Sequence, residues 1–150
     1  MPNRRADITL SADERSALLE RSKTAIVVTI GPDGVPDPIA MWFLIEPDGT
    51  LVMRTYAKSQ KVRNLERDPR VAVLVEEGET YSTLSGVQLT GRIELSRDVE
   101  EVLDVVAGLA AKYEGVQNLD RDAMRDYASK QVVMRLRVDK VVSWDHAKLG

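Results

Sequence analysis

Two Pro-Asp-Gly triplets, Pro32-Asp33-Gly34 and Pro47-Asp48-Gly49, each separate a pair of short β-rich runs. Proline presets one turn dihedral, aspartate bonds to nearby backbone, and glycine accepts positive φ. The run 24–30, Thr-Ala-Ile-Val-Val-Thr-Ile, is β-branched and apolar and reads as a buried strand. A second strand is predicted over 38–45 and a third over 51–56. Strands joined by turns this tight leave no room for crossover helices, so the sheet has to be antiparallel.

The remaining segments fit around such a sheet. Ser11 and Glu14 have the spacing of a capping box, which opens a short helix ending near Arg21. Ser59 reads as the N-cap of a brief helix in which Val62 and Leu65 face inward, and Asp68-Pro69 ends it. Strands are predicted over 71–75 and 81–95, with Gly86 and Gly91 as bend or bulge positions in the second. Ser96 is predicted to cap an amphipathic helix whose apolar face runs from Val99 to Tyr113, closed by Gly115. A shorter helical piece follows over 122–128. The last strand, 132–138, alternates apolar residues with Arg135 and Arg137 and has one wet face. The fold class is therefore mainly β with flanking helices (α+β), six antiparallel strands closing toward a barrel. With 150 residues and no linker, residues 1–150 are expected to form one domain.

Composition narrows the chemistry. The absence of cysteine excludes a disulfide framework, a zinc ribbon and a cysteine nucleophile. A single histidine, His146, argues against a multi-histidine metal site or a Ser-His-Asp triad, and no metal site is expected. A net charge of −3 argues against nucleic acid as a general partner. No apolar run approaches the roughly 20 residues of a membrane span, and residues 1–10 lack an apolar signal core. No membrane partner is expected, and the expected location is cytoplasmic.

Charge is concentrated in one place. Residues 54–70 carry Arg54, Lys58, Lys61, Arg63, Arg67 and Arg70 against Glu66 and Asp68, a local balance of +4. Such a patch is either a solvated helix face or a phosphate receiver, where lysine charge adds to amides and dipole at a Ser-capped helix start. No glycine-rich nucleotide loop or metalloprotease motif is present. Trp42 is expected to pack on the barrel or a partner, whereas Trp144 covers either a dimer interface or a ring-shaped cofactor. Without a nucleophile or acid–base set, any catalysis here would draw on an organic cofactor.

The order of these features resembles a known family. The segment from Ala25 through Met41-Trp42-Phe43, then Arg54-Thr55, then Lys61-x-x-Asn64-Leu65-x-x-Asp68-Pro69, is similar to the flavin and deazaflavin proteins related to pyridoxamine 5′-phosphate oxidase. The resemblance extends through Gly86–Arg92 to Ser143-Trp144-Asp145-His146 and so covers nearly the whole chain. It implies an FMN-binding-like split β-barrel, a homodimer, and cofactor sites in grooves between subunits. It implies that Ser59 and Lys61 hold a cofactor phosphate, with Arg54 and Thr55 approaching from the third strand, Gln60 beside them and Asn64 touching the cofactor. Pro38, Ile39, Ala40 and Met41 would set backbone groups along the ring system, and Trp144 would lie near it. Lys58, with Arg4 and Arg5, would serve an acidic cofactor tail. The implied activity is an oxidoreductase passing hydride from reduced deazaflavin coenzyme F420 to a small electron-poor conjugated substrate, with FMN as the alternative cofactor. A non-catalytic cofactor carrier is a further alternative, and haem binding through His146 a remote one. Tyr56 and Tyr81 are candidate proton donors or ring neighbours.

Overall fold

Ser11 caps α1 (Ala12–Arg21) with the reciprocal bonds of a capping box, as its spacing predicts. The computed structural model describes residues 4–150. Seven strands follow: β1 (Ala25–Ile30), β2 (Pro36–Met41), β3 (Leu44–Ile45), β4 (Leu51–Tyr56), β5 (Arg70–Glu77), β6 (Ser85–Ser96) and β7 (Gln131–Asp145). The helices among them are α2 (Gln60–Arg67), α3 (Val99–Leu109) and α4 (Arg125–Ala128). All pairings are antiparallel, in the order β2-β1-β5-β6-β7-β4-β3.

One prediction fails in an informative way. The strand expected over 38–45 is two strands: β2 pairs with β1, whereas β3 pairs with β4. These are the two edges of the sheet, and only Trp42 and Phe43 separate them in the chain. The sheet must therefore curl until its edges meet, and the barrel is split at Trp42-Phe43. The strand count is seven rather than six for this reason alone.

Smaller differences also have local causes. Tyr81–Thr83 forms a short helical turn, so β6 starts at Ser85 instead of residue 81. Asp98, not Ser96, caps α3, accepting from the amides of Glu100 and Glu101. Helix α4 is shorter than predicted, and β7 runs seven residues past Val138. Gly91 marks the register shift between β6 and β7, where an added Cβ would stand 1.9 Å from the Arg137 carbonyl oxygen.

Two apolar clusters hold the fold. Val27, Phe43, Met53, Val73, Val87 and Met134 fill the barrel, and Val52 and Val133 pack with Leu103, Val106 and Leu109 of α3. Among the described residues no helix is long and apolar enough to cross a membrane.

Candidate functional site

The C-terminal end of β4 lies against the N-terminal end of β7, with Arg54 opposite Val133 and Tyr56 opposite Gln131. The chain then turns directly into α2, which brings Ser59 and Lys61 beside the same strand ends. Lys61 Nζ donates to Thr55 Oγ1 at 2.9 Å. Arg54 Nη1 donates to Gln131 Oε1 at 3.3 Å, and its guanidinium lies 5.2 Å from the Tyr127 ring centroid. Burial pushes the Lys61 ammonium below its ordinary pKa, partly opposed by the charge of Asp37.

Among the described residues, three buried polar atoms at this end find no hydrogen-bond partner: Arg54 Nε, Ser59 Oγ and Gln131 Nε2. Leaving such an atom unpaired costs about 1–3 kcal/mol. Arginine Nε and the glutamine amide nitrogen are donors, and a serine hydroxyl can donate. They sit on the strand ends and helix start that also carry Lys61, whose ammonium is bonded to Thr55. Ser59 stands at the N-cap of α2 with extended dihedrals, as predicted, but its hydroxyl makes no capping bond to the helix.

A cavity of about 360 Å³ opens beside these groups, lined by Ile39, Ala40, Met41, Trp42, Arg54, Thr55, Tyr56, Lys61 and Leu109. Its apolar wall comes from the end of β2, which is exposed along its length and borders only β1. Pro38 lies on the same strand just outside the lining. The structure thus brings Ile39, Ala40, Met41, Arg54, Thr55 and Lys61 onto one cavity, while Ser59 stands at the start of α2 outside the lining and Lys58 is exposed.

Other predicted residues lie elsewhere or are already engaged. Asn64 is fully buried: its Nδ2 donates to Thr29 Oγ1 (3.0 Å) and Asp37 Oδ2 (3.2 Å). Its Oδ1 accepts from Gln60 Nε2 (2.9 Å) and Arg67 Nη2 (3.2 Å). Asn64 therefore pins α2 to β1 and β2, and Gln60 is spent on it. Trp144 sits at the opposite end of β7 from Gln131, about 40 Å of contour away at about 3.3 Å per residue. There it covers Gly86, where a Cβ would meet the indole at 2.4 Å, and lines a second cavity with Arg5 and His146. Tyr81 packs against His146 at that end with the rings tilted by 53°, and Arg4 donates to the Leu149 carbonyl. Within one chain, then, none of Arg4, Arg5 and Tyr81 lines the cavity beside Lys61.

Gln131 and Trp42 are the residues that sequence reasoning missed. Gln131 stands first in a strand of valines, and only its polarity at a buried position could have flagged it. A separate cavity of about 450 Å³ beneath α1 is lined by none of the residues that carry the three unpartnered atoms. Among the described residues no cluster of His, Asp or Glu could hold a metal ion.

A curled antiparallel sheet split at one crossing, with a donor-lined cavity beside the split, defines a split β-barrel protein. The family model described as pyridoxamine 5′-phosphate oxidase matches residues 11–145, and the chain belongs to that family. It is similar to the conserved hypothetical protein Rv2991 from Mycobacterium tuberculosis, with 40% identity over 99% of this chain and 93% of that one, TM-score 0.91. An F420 reductase matches at 25% identity over 84% of this chain and 94% of its own, TM-score 0.65. An FAD-binding protein from Mesorhizobium loti shares the fold at 21% identity, over 90% and 94% of the two chains, TM-score 0.67.

Proposed function

We propose that the protein binds a phosphate-bearing flavin-type cofactor, coenzyme F420 in preference to FMN, and passes hydride from it to a small electron-poor conjugated substrate. The observation that carries this reading is the donor set of Arg54 Nε, Ser59 Oγ and Gln131 Nε2 near the Lys61 ammonium, with no acceptor for the three among the described residues. Phosphate oxygens accept such bonds, and bonds to a charged group are about twice as strong as neutral ones. The likeness to an F420 reductase favours the deazaflavin over FMN.

The cofactor supplies the hydride chemistry, and this chain supplies binding, orientation and exclusion of water. Lys61 and Arg54 would neutralise the phosphate, while Ser59 and Gln131 fix its rotation. The free edge of β2, residues 38–41, has backbone groups not used by β1 and can hold the rim of a ring system. Met41, Trp42 and Leu109 keep that end of the cavity apolar.

A homodimer is part of the proposal. Strand β2 is exposed on both faces, and Val35 and Ile39 are 57% and 45% exposed, which leaves an apolar edge for a second copy to cover. Trp144 can act as a cofactor neighbour only from that second copy. Light scattering of a cofactor-loaded monomer at micromolar concentration would contradict this part.

The test is a side-by-side titration of cofactor-free protein with coenzyme F420 and FMN, followed by fluorescence and calorimetry. Tighter binding of the deazaflavin is expected. Tighter binding of FMN reverses the choice of cofactor, and binding of neither overturns the reading.

A further inference from the structure

The two residues that split the barrel belong to no strand, so no ladder bond fixes them. The pairing of β2 with β1 ends at Met41, and the pairing of β3 with β4 begins at Leu44. What holds Trp42 and Phe43 comes from the C-terminal end of α3. That helix runs on into one π-helical turn, Ala110–Glu114, which Gly115 ends with φ of 70°. Such turns are uncommon and often stand at functional positions. This one brings Lys112 and Tyr113 onto Phe43. The Phe43 amide donates to Tyr113 Oη (3.0 Å), which in turn donates to the Phe43 carbonyl (3.1 Å). Burial raises the Tyr113 phenol above its ordinary pKa, so it keeps the proton it donates. Lys112 Nζ donates to the same carbonyl at 3.0 Å. A Cβ on Gly108 would stand 2.5 Å from Leu44 Cδ1, so the residue after the crossing rests on bare helix backbone.

These contacts hold the crossing without any help from the face of the Tyr113 ring. The ring does something separate. It stacks on the Trp42 indole, with centroids 4.3 Å apart and planes within 7°. Trp42 is nonetheless 47% exposed and lines the cavity together with Ile39, Met41 and Leu109. Phe43, Lys112 and Tyr113 are not among the lining residues. One ring outside the cavity therefore orients an indole that forms part of its wall. Without that stack, a half-exposed indole has other staggered rotamers open to it.

We infer that Tyr113 is a positioning residue for the cavity beside Lys61. Acting through Trp42, it sets the apolar wall and so the fit of the cofactor's ring half, while the phosphate half depends on Lys61. The inference rests on the proposed cofactor for what the wall fits. The setting of the wall itself can be measured without any ligand.

Two substitutions separate the ring of Tyr113 from its hydroxyl. Tyr113→Phe keeps the stack and loses both bonds to Phe43, whereas Tyr113→Leu loses the stack as well. Both should lower the melting midpoint, because the Phe43 amide loses its partner. In a Trp144→Phe background Trp42 is the sole tryptophan. Its fluorescence anisotropy without ligand should match the parent in Tyr113→Phe and fall in Tyr113→Leu. Deazariboflavin and riboflavin carry the rings of F420 and FMN without phosphate, and are titrated beside them below the melting midpoint. Tyr113→Leu should weaken all four by one common factor, roughly two- to tenfold, the worth of an aromatic pair. Tyr113→Phe should stay near the parent. The salt dependence of F420 and FMN binding should be the same in both variants as in the parent, since the phosphate contacts remain. Tyr113→Met replaces Tyr113→Leu should the latter not fold. Anisotropy and ring affinity unchanged in Tyr113→Leu, or lowered equally by Tyr113→Phe, would overturn the inference and leave Tyr113 a structural clamp. Binding of none of the four by the parent would instead remove the cofactor reading. The anisotropy contrast between the two variants would still decide whether Tyr113 sets the wall.

Discussion

The two ends of β7 are built from the same strand and satisfied to opposite degrees. At the Trp144 end almost every polar group is paired. Ser143 Oγ accepts from the Leu10 amide (3.0 Å), the Asp145 amide donates to the Ile8 carbonyl (2.7 Å), and the His146 amide donates to the Leu84 carbonyl (2.9 Å). His146 Nδ1 bonds the Tyr81 carbonyl, and Lys148 pairs with Glu14 at 2.7 Å. At the Gln131 end, the Gln131 amide nitrogen, Arg54 Nε and Ser59 Oγ are buried without partners among the described residues. Folding alone accounts for the first end, which latches both termini to the barrel. At the second end the described residues supply no acceptor for these groups, which is what the proposed cofactor site would provide.

The largest effect should come from removing the charge at the open end. Lys61→Ala should cost about 1.5–3 kcal/mol of cofactor affinity, the worth of a hydrogen bond to a charged group, or roughly one to two decades in Kd. The melting midpoint without cofactor should hardly move, because the bond to Thr55 is offset by the cost of burying the ammonium. Salt should weaken cofactor binding less in this variant than in the parent. Unchanged affinity and salt response would return the basic segment to a solvated helix face.

At the closed end the signs should reverse. Gly86→Ala drives a methyl into the Trp144 indole and should lower stability by about 1–3 kcal/mol, read as a fall in melting midpoint. The folded fraction should keep its cofactor affinity. A parallel loss of affinity would bring the Trp144 end of a second copy into the pocket and erase the contrast.

How much of this contrast was legible in the sequence depended on the range of the interaction. The Pro-Asp-Gly turns and the Ser11–Glu14 capping box were read correctly because their chemistry is complete within four residues. The break at Trp42-Phe43 was not, because Met41 through Ile45 is an unbroken apolar run with no turn residue. What splits it is Tyr113, seventy residues away in the chain. Likewise the basic run around Lys61 was legible by charge, whereas the interior bonding of Asn64 to Thr29 and Asp37 was not. Its place between the inward-facing Val62 and Leu65 is the sign that it serves the protein interior.

The smallest effect is expected at the latch in acid. The Lys148 side chain, with the Ser11 amide, holds the Glu14 carboxyl down at about 2 from its ordinary 4.5. The stabilisation is therefore complete above pH 4.5 and is lost as the pH falls toward 2. Glu14→Gln should flatten the acid limb of the melting-midpoint profile and leave neutral-pH cofactor binding alone. An acid limb as steep as the parent's would show that the latch draws its pH dependence from another group.

Ser59→Ala tests the central claim most directly, because its hydroxyl is buried, unpaired among the described residues and not engaged in capping α2. Melting midpoints with and without cofactor separate the two roles a serine can have there. If the hydroxyl awaits a ligand, the midpoint without cofactor should hold or rise. Cofactor affinity should then fall by about 0.5–1.5 kcal/mol, roughly two- to tenfold in Kd. The contrary result is a cofactor-free midpoint lowered by a cap's worth, about 1 kcal/mol, with affinity unchanged. That outcome would make Ser59 a helix cap and the open end of β7 no ligand site.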